Sequence, residues 1–110
     1  MDKLTEFIHD LLRRGMHISG VSLRGGVLAY DLEGFAKSGH GTLFVEDDVI
    51  KLETRYNQID EIHSLSDLVR VAYDWDCGYC SKNSIYTVYG VRNEWRKLYE
   101  EFGYNTDNLR

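Results

Sequence analysis

Between Val21 and Tyr56 lie separate stretches in which apolar residues recur at every second position, and on either side of that interval they recur every third and fourth. This double change of period constrains the fold most, because period two belongs to a strand and period 3.6 to a helix. Upstream, "DKLTEFIHDLLRRG" puts Leu4, Phe7, Ile8, Leu11 and Leu12 on one helical face. Gly15 stands where a left-handed C-terminal cap would, and Arg13 and Arg14 complement the helix dipole. In the middle, Val21 and Leu23 lead into Gly25-Gly26, and Leu28, Tyr30 and Leu32 return, which is a hairpin signal. After the loop "GFAKSGHG", Asp47-Asp48 turn a second hairpin. There Ile50, Leu52, Thr54 and Tyr56 face one way and Lys51, Glu53 and Arg55 the other. The sheet is expected to be antiparallel, with one face covered and the other wet or paired.

Downstream the helical period returns. Ser64 and Asp67 form a capping-box pattern with Asp in place of Glu, followed by Leu65, Leu68, Val69, Ala72 and Trp75 or Asp76. "NSIYTVYGV" favours an extended segment through its β-branched and aromatic residues. "RNEWRKLYEEFG" reads as a last helix, with Asn93 as its cap, Trp95, Leu98, Tyr99 and Phe102 on one side and Gly103 at its end. The tail "YNTDNLR" is polar and reads as loose. No repeat or linker interrupts the 110 residues, which bound a single domain over 1–110. The expected class is α+β: an antiparallel sheet of two hairpins flanked by an N-terminal helix and two C-terminal helices.

Hydrophobic content of 43% with 28% charged residues fits a soluble globular domain and not a disordered tail. No apolar run approaches a membrane span and no secretory signal opens the chain, so the expectation is a cytoplasmic protein whose two cysteines stay reduced. A net charge of −5 excludes a general binder of nucleic acid, which needs a basic face. Eight Tyr, four Phe and two Trp are dense for this length; they suit ligand pockets and subunit contacts, and more commonly a core.

"DWDCGYC" raises redox and zinc chemistry. A redox dithiol wants its first Cys at a helix N-terminus, whereas Cys77 and Cys80 follow a helix, beside Asp74 and Asp76, and the chain has no proline. A closed zinc site needs two further ligands, and His9, His17, His40 and His63 show no paired spacing. The plain reading is that Gly78 ends the helix and both cysteines pack as small apolar groups. No metal and no cofactor are expected.

"GFAKSGHGT" lacks the helix that a phosphate loop requires after its Lys, though Lys37, Ser38 and His40 on glycine-rich backbone could form an anion nest. A solvated loop is the commoner reading. Arg55, Tyr56 and Asn57 are a more specific set: guanidinium, ring and amide together can grip phosphate, stack a base and read its edge. No serine has a nucleophile-elbow setting and no carboxylate pair is set apart by apolar enclosure, so a non-enzyme is expected.

The run "LETRYNQIDEIHSLSDLVRVAYDWDCGYC", with "EWRKLYEEFGY" after it, carries a resemblance. A strand ends in Thr-Arg-Tyr, an Asp-Leu-Val helix ends in Tyr-x-Trp, and a second Trp-bearing helix ends in Phe-Gly. Over Gly41 to Tyr104 this resembles small phage-encoded proteins, most nearly the first type of Thoeris anti-defence sponge. The resemblance implies an α+β homo-oligomer in the host bacterial cytoplasm. It would bind cyclic ADP-ribose isomers or related cyclic nucleotides between subunits without degrading them.

Two functions follow as expectations. The first is sequestration of a cyclic nucleotide signal by Arg24, Arg55, Tyr56, Asn57, Trp75, Arg92 and Trp95, with Arg96 and Lys97 adding positive charge. The second is inhibition of a host or CRISPR-type defence protein by direct contact, with Glu46 to Asp48 and the pair Asp74 and Asp76 imitating a phosphate backbone. A solvated charged face is the commoner use of such acidic runs.

Overall fold

The computed structural model describes residues 3–33, 40–54, 57–79 and 90–109. Helix α1 (Lys3–Arg13) leads into strands β1 (His17–Arg24), β2 (Val27–Glu33), β3 (His40–Glu46), β4 (Val49–Glu53) and β5 (Ile59–Glu61), then helices α2 (Leu65–Tyr79) and α3 (Asn93–Glu101). The strands form one five-stranded sheet in sequence order, every neighbouring pair antiparallel. The chain is therefore α+β, as its periods predict. The two hairpins are joined through β2 and β3, and β5 extends the sheet by three residues. So short a strand has no period to read, which is why it escapes the sequence.

Cross-strand partners share a face, so Tyr30, Leu43 and Leu52 mark the inner one. Leu32, Leu43, Ile50 and Leu52 meet Leu4, Ile8 and Leu11 of α1, Leu68, Val69 and Ala72 of α2, and Trp95, Leu98 and Tyr99 of α3 in one core. Leu11, Leu32, Leu43, Leu52, Trp95 and Tyr99 have essentially no exposed surface, each worth about 1.5–3 kcal/mol of burial. The outer face is not simply wet. Phe44 is only 2% exposed there, because the Arg24 guanidinium lies 4.0 Å from its ring centroid.

Local chemistry sets the ends of these elements. In α1 the Met16 amide donates to the Leu11 carbonyl and the Gly15 amide to that of Leu12, with Gly15 at φ 87°. In α3 the Tyr104 amide donates to Tyr99 and the Gly103 amide to Glu100, with Gly103 at φ 85°. Both are Schellman closures, and glycine supplies the left-handed residue at no steric cost. At α2 the Asp67 amide donates to the Ser64 hydroxyl at 3.4 Å. The Asp67 carboxylate accepts from the His63 amide at 2.8 Å, one residue earlier than a Glu-based box would reach.

Four expectations are corrected. Asn93 is the first residue of α3 and not its cap; the cap position belongs to Arg92, extended at ψ 151° and without a side-chain cap bond. Gly78 does not end α2, which runs on to Tyr79, because glycine permits a left-handed turn without demanding one. Cys77 is exposed and does not pack, while Cys80 lies outside the described residues. The tail is not loose: the Arg96 guanidinium donates to the carbonyls of Thr106 at 3.0 Å and Leu109 at 3.4 Å, and Leu109 is buried. The expected extended segment at "NSIYTVYGV" falls almost wholly outside the described residues.

Candidate binding cleft

The first turn of α1 lies beside the β3–β4 turn and the end of β5, leaving a cleft of about 400 Å³. Amphipathic periodicity orients α1: Leu4 and Ile8 point into the core, and Phe7 becomes one wall. Ile50 and Ile62 complete an apolar floor, held in place by the 2.8 Å bond from the Ile62 amide to the Ile50 carbonyl. Lys3, Glu6, Asp48 and His63 stand on the rim. His63 is placed there by the α2 cap, since its amide is the one that Asp67 accepts from. The Lys3 ammonium bridges the mouth, 3.4 Å from the Asp48 carbonyl and 4.0 Å from its carboxylate.

The field at this end of the molecule is negative. Asp47 and Asp48 form the two-residue apex between Glu46 and Val49, both left-handed at φ 55° and 61°. Glu46 beside them is exposed, and Glu61 lies 3.9 Å from the His63 ring. Lys51 registers the result. Its ammonium is held above the usual lysine value, first by the 3.0 Å hydrogen bond to Glu46 and then by the charges of Glu46, Asp47 and Glu61. An apolar floor under a rim that holds the Glu6 and Asp48 carboxylates, with Lys3 and His63 between them, has room for an aliphatic stem that ends in a cation, which is the shape of a lysine or arginine side chain.

Among the described residues, those predicted for a nucleotide are spread over more than one surface. Arg24 is on the outer face of the sheet, its two terminal nitrogens 2.7 and 3.2 Å from the Glu53 carboxylate oxygens. That fork also holds the Glu53 carboxyl below its usual value, through the hydrogen bond first and the charge second. Trp95 is fully enclosed in the core on the inner side, with Trp75 packed against the same core, so the sheet separates both from Arg24. A stacking role for Trp95 gives way to packing, because its spacing with Leu98 and Tyr99 marks the buried stripe of α3. Asn57 is exposed in the β4–β5 turn with left-handed backbone at φ 61°. Arg92 is exposed ahead of α3. Arg55 and Tyr56 lie outside the described residues, as do Lys37 and Ser38 of the glycine loop. Arg96 is committed to the tail carbonyls.

The acidic pair in α2 is also corrected. Asp74 is exposed, but Asp76 is fully buried and accepts a hydrogen bond from the Tyr99 hydroxyl. Position 76 repeats Leu68 and Ala72 at intervals of four, so a carboxylate occupies the core stripe and needs a buried donor. Among the described residues no group of three or more His, Cys, Asp or Glu is placed to hold a metal ion. Of the cleft, the sequence displayed only the acidic turn. Phe7 read as core, and His63 appeared only as an unpaired metal-ligand candidate.

Comparison of the chain with protein-family models, with curated proteins and with solved structures finds no match.

Proposed function

We propose that this chain is a non-catalytic binding protein that acts by direct contact with a partner protein, taking a basic segment of it in the cleft beside α1. The observation that carries this reading is the apolar floor of Phe7, Ile50 and Ile62 set under Glu6 and Asp48. A cationic side chain would lay its stem on that floor and its head against Glu6, and against Asp48 in place of Lys3, and the surrounding Glu46, Asp47 and Glu61 would speed encounter. Nucleotide sequestration has less behind it, with Arg24 held by Glu53 and Trp95 enclosed. The resemblance over Gly41 to Tyr104 supplies only a phage setting; the ligand it implies is a cyclic nucleotide, and the choice of a protein partner rests on the cleft.

Amide-resolved NMR titrations decide between the two. A short Lys/Arg peptide is expected to shift the resonances of Glu6, Phe7, Asp48 and His63, with affinity that falls as salt rises. Glu6→Gln with Asp48→Asn should weaken it about tenfold. Cyclic ADP-ribose isomers and cyclic oligonucleotides are expected to shift nothing. Saturable shifts with a cyclic nucleotide and none with the peptide would overturn the proposal.

A further inference from the structure

Building on the cleft reading above, we infer that Lys3 is a built-in competitor for the cleft. Its ammonium occupies the subsite on Asp48 that an incoming cation has to take, and so sets how tightly a basic segment is held.

The subsite is marked by its own occupant. Asp48 offers two oxygens to one ammonium, with the Lys3 Nζ 3.4 Å from its carbonyl and 4.0 Å from its carboxylate. Lys3 also lines the cleft together with Phe7, Ile50 and Ile62. A lysine of the chain itself therefore stands at the mouth, where the head of a partner's side chain would lie.

Three features make Lys3 an occupant and not a fastener. Its contacts are long, since a strong charge-assisted hydrogen bond holds nitrogen and oxygen about 2.7–2.9 Å apart. Both partners face water, with side chains 69% exposed for Lys3 and 94% for Asp48. Lys3 also lies in the first turn of α1, where the helix dipole is positive and disfavours a cation. Arg14, just past the opposite end of that helix, shows the contrast: the dipole favours it, and it reaches Asp10 at 3.3 Å and Glu101 at 3.2 Å.

The turn supplies the reason for an occupant. Asp47 and Asp48 are adjacent carboxylates on left-handed backbone, at φ 55° and 61°, and they repel each other. Lys3 offsets that repulsion while the cleft is empty. A partner's cation offsets it equally and returns Lys3 to solvent, so the exchange leaves the charge at the turn unchanged. An exposed ion pair favours its closed form by no more than about fivefold. Apparent affinity falls in proportion to the fraction of molecules that are open, which makes the handicap about two- to sixfold. A partner overcomes this easily, and a titration resolves it.

Lys3→Met keeps the aliphatic stem and removes the ammonium. An unlabelled arginine peptide, titrated into isotope-labelled protein, is expected to bind K3M about two- to sixfold more tightly than wild type at the same salt. Lys97→Met removes the same charge from an exposed position on α3, outside the cleft, and should leave the affinity at its wild-type value. In the wild-type protein the side-chain resonances of Lys3 should move as peptide is added. They should move in the direction in which Asp48→Asn moves them without peptide, since both take the carboxylate away from the ammonium. That measurement stands whether or not K3M folds well. Equal affinity of wild type and K3M, or an equal gain in K97M, overturns the inference and leaves the cleft reading in place. So does weaker binding by K3M, or a Lys3 side chain indifferent to the peptide. A peptide that shifts no cleft resonance in either protein overturns the cleft reading and this inference with it.

Discussion

Tyr73 stands where α2, α3 and the C-terminal segment meet. Its hydroxyl donates to the Asn105 carbonyl, and its ring lies 5.2 Å from that of Tyr99, edge-on, and 4.5 Å from that of Tyr104. Burial first, then the hydrogen bond to Cys77, pushes the phenol up to about 12 from its ordinary 10. A phenol held protonated contributes stability that is fully present below its unfolded value and is lost as pH rises through the folded one. The window is therefore pH 10 to about 12. Tyr73→Phe should cost about 1 kcal/mol at neutral pH, from the lost hydrogen bond. The gap between wild type and variant in urea midpoint should close across that alkaline window. A gap that stays constant to the top of the window would show that the phenol does not titrate with unfolding.

Among the elements, the β3–β4 hairpin departs most from what stability alone would select. A two-residue turn with both residues left-handed favours Asn-Gly, and here Asp47 and Asp48 take φ 55° and 61°. Asp visits that region more readily than most residues but still at a cost, and two adjacent carboxylates repel. The same two residues place negative charge at the cleft mouth, where Lys3 meets Asp48. Asp47→Asn with Asp48→Gly should therefore stabilise the fold by about 1 kcal/mol, raising Tm by about 4 °C, and weaken the basic peptide in the same protein. Gain of stability with unchanged peptide affinity would separate the turn from the site. Features of this kind were legible in the sequence because near neighbours set them: the glycine closures at Gly15 and Gly103, the Ser64–Asp67 cap, both hairpin turns. The three-residue β5 was not, since its pairing with β4 and not its own pattern defines it.

On the scale of the whole molecule, what the sequence hid is what distance in the chain hides. Arg24 looked like an available cation because Glu53 is 29 residues away, and Asp76 looked like surface because Tyr99 is 23 away. The cleft has the same origin: α1 and the β3–β4 turn come together only in the folded sheet, where Lys3 and Asp48 meet across 45 residues. The tail shows the effect most plainly. Read locally, "YNTDNLR" has Tyr104 and Leu109 among polar residues and no period, and truncating it would look harmless. Folded, Leu109 is 3% exposed in the same core as Trp95 and Leu98, Arg96 holds two of the tail's carbonyls, and the Thr106 hydroxyl donates to Glu100 at 2.8 Å. At the other end Arg14 ties α1 to Glu101 at 3.2 Å, so first and last helices are fastened through the same region. The tail then behaves as a late-arriving piece of core. Leu109→Ala should cost about 2 kcal/mol, low in the range for buried leucines because a chain end can settle into part of the space. Calorimetry should show a Tm about 8 °C lower with a single cooperative transition. A Tm unchanged by the substitution would mean that the core is complete without the tail.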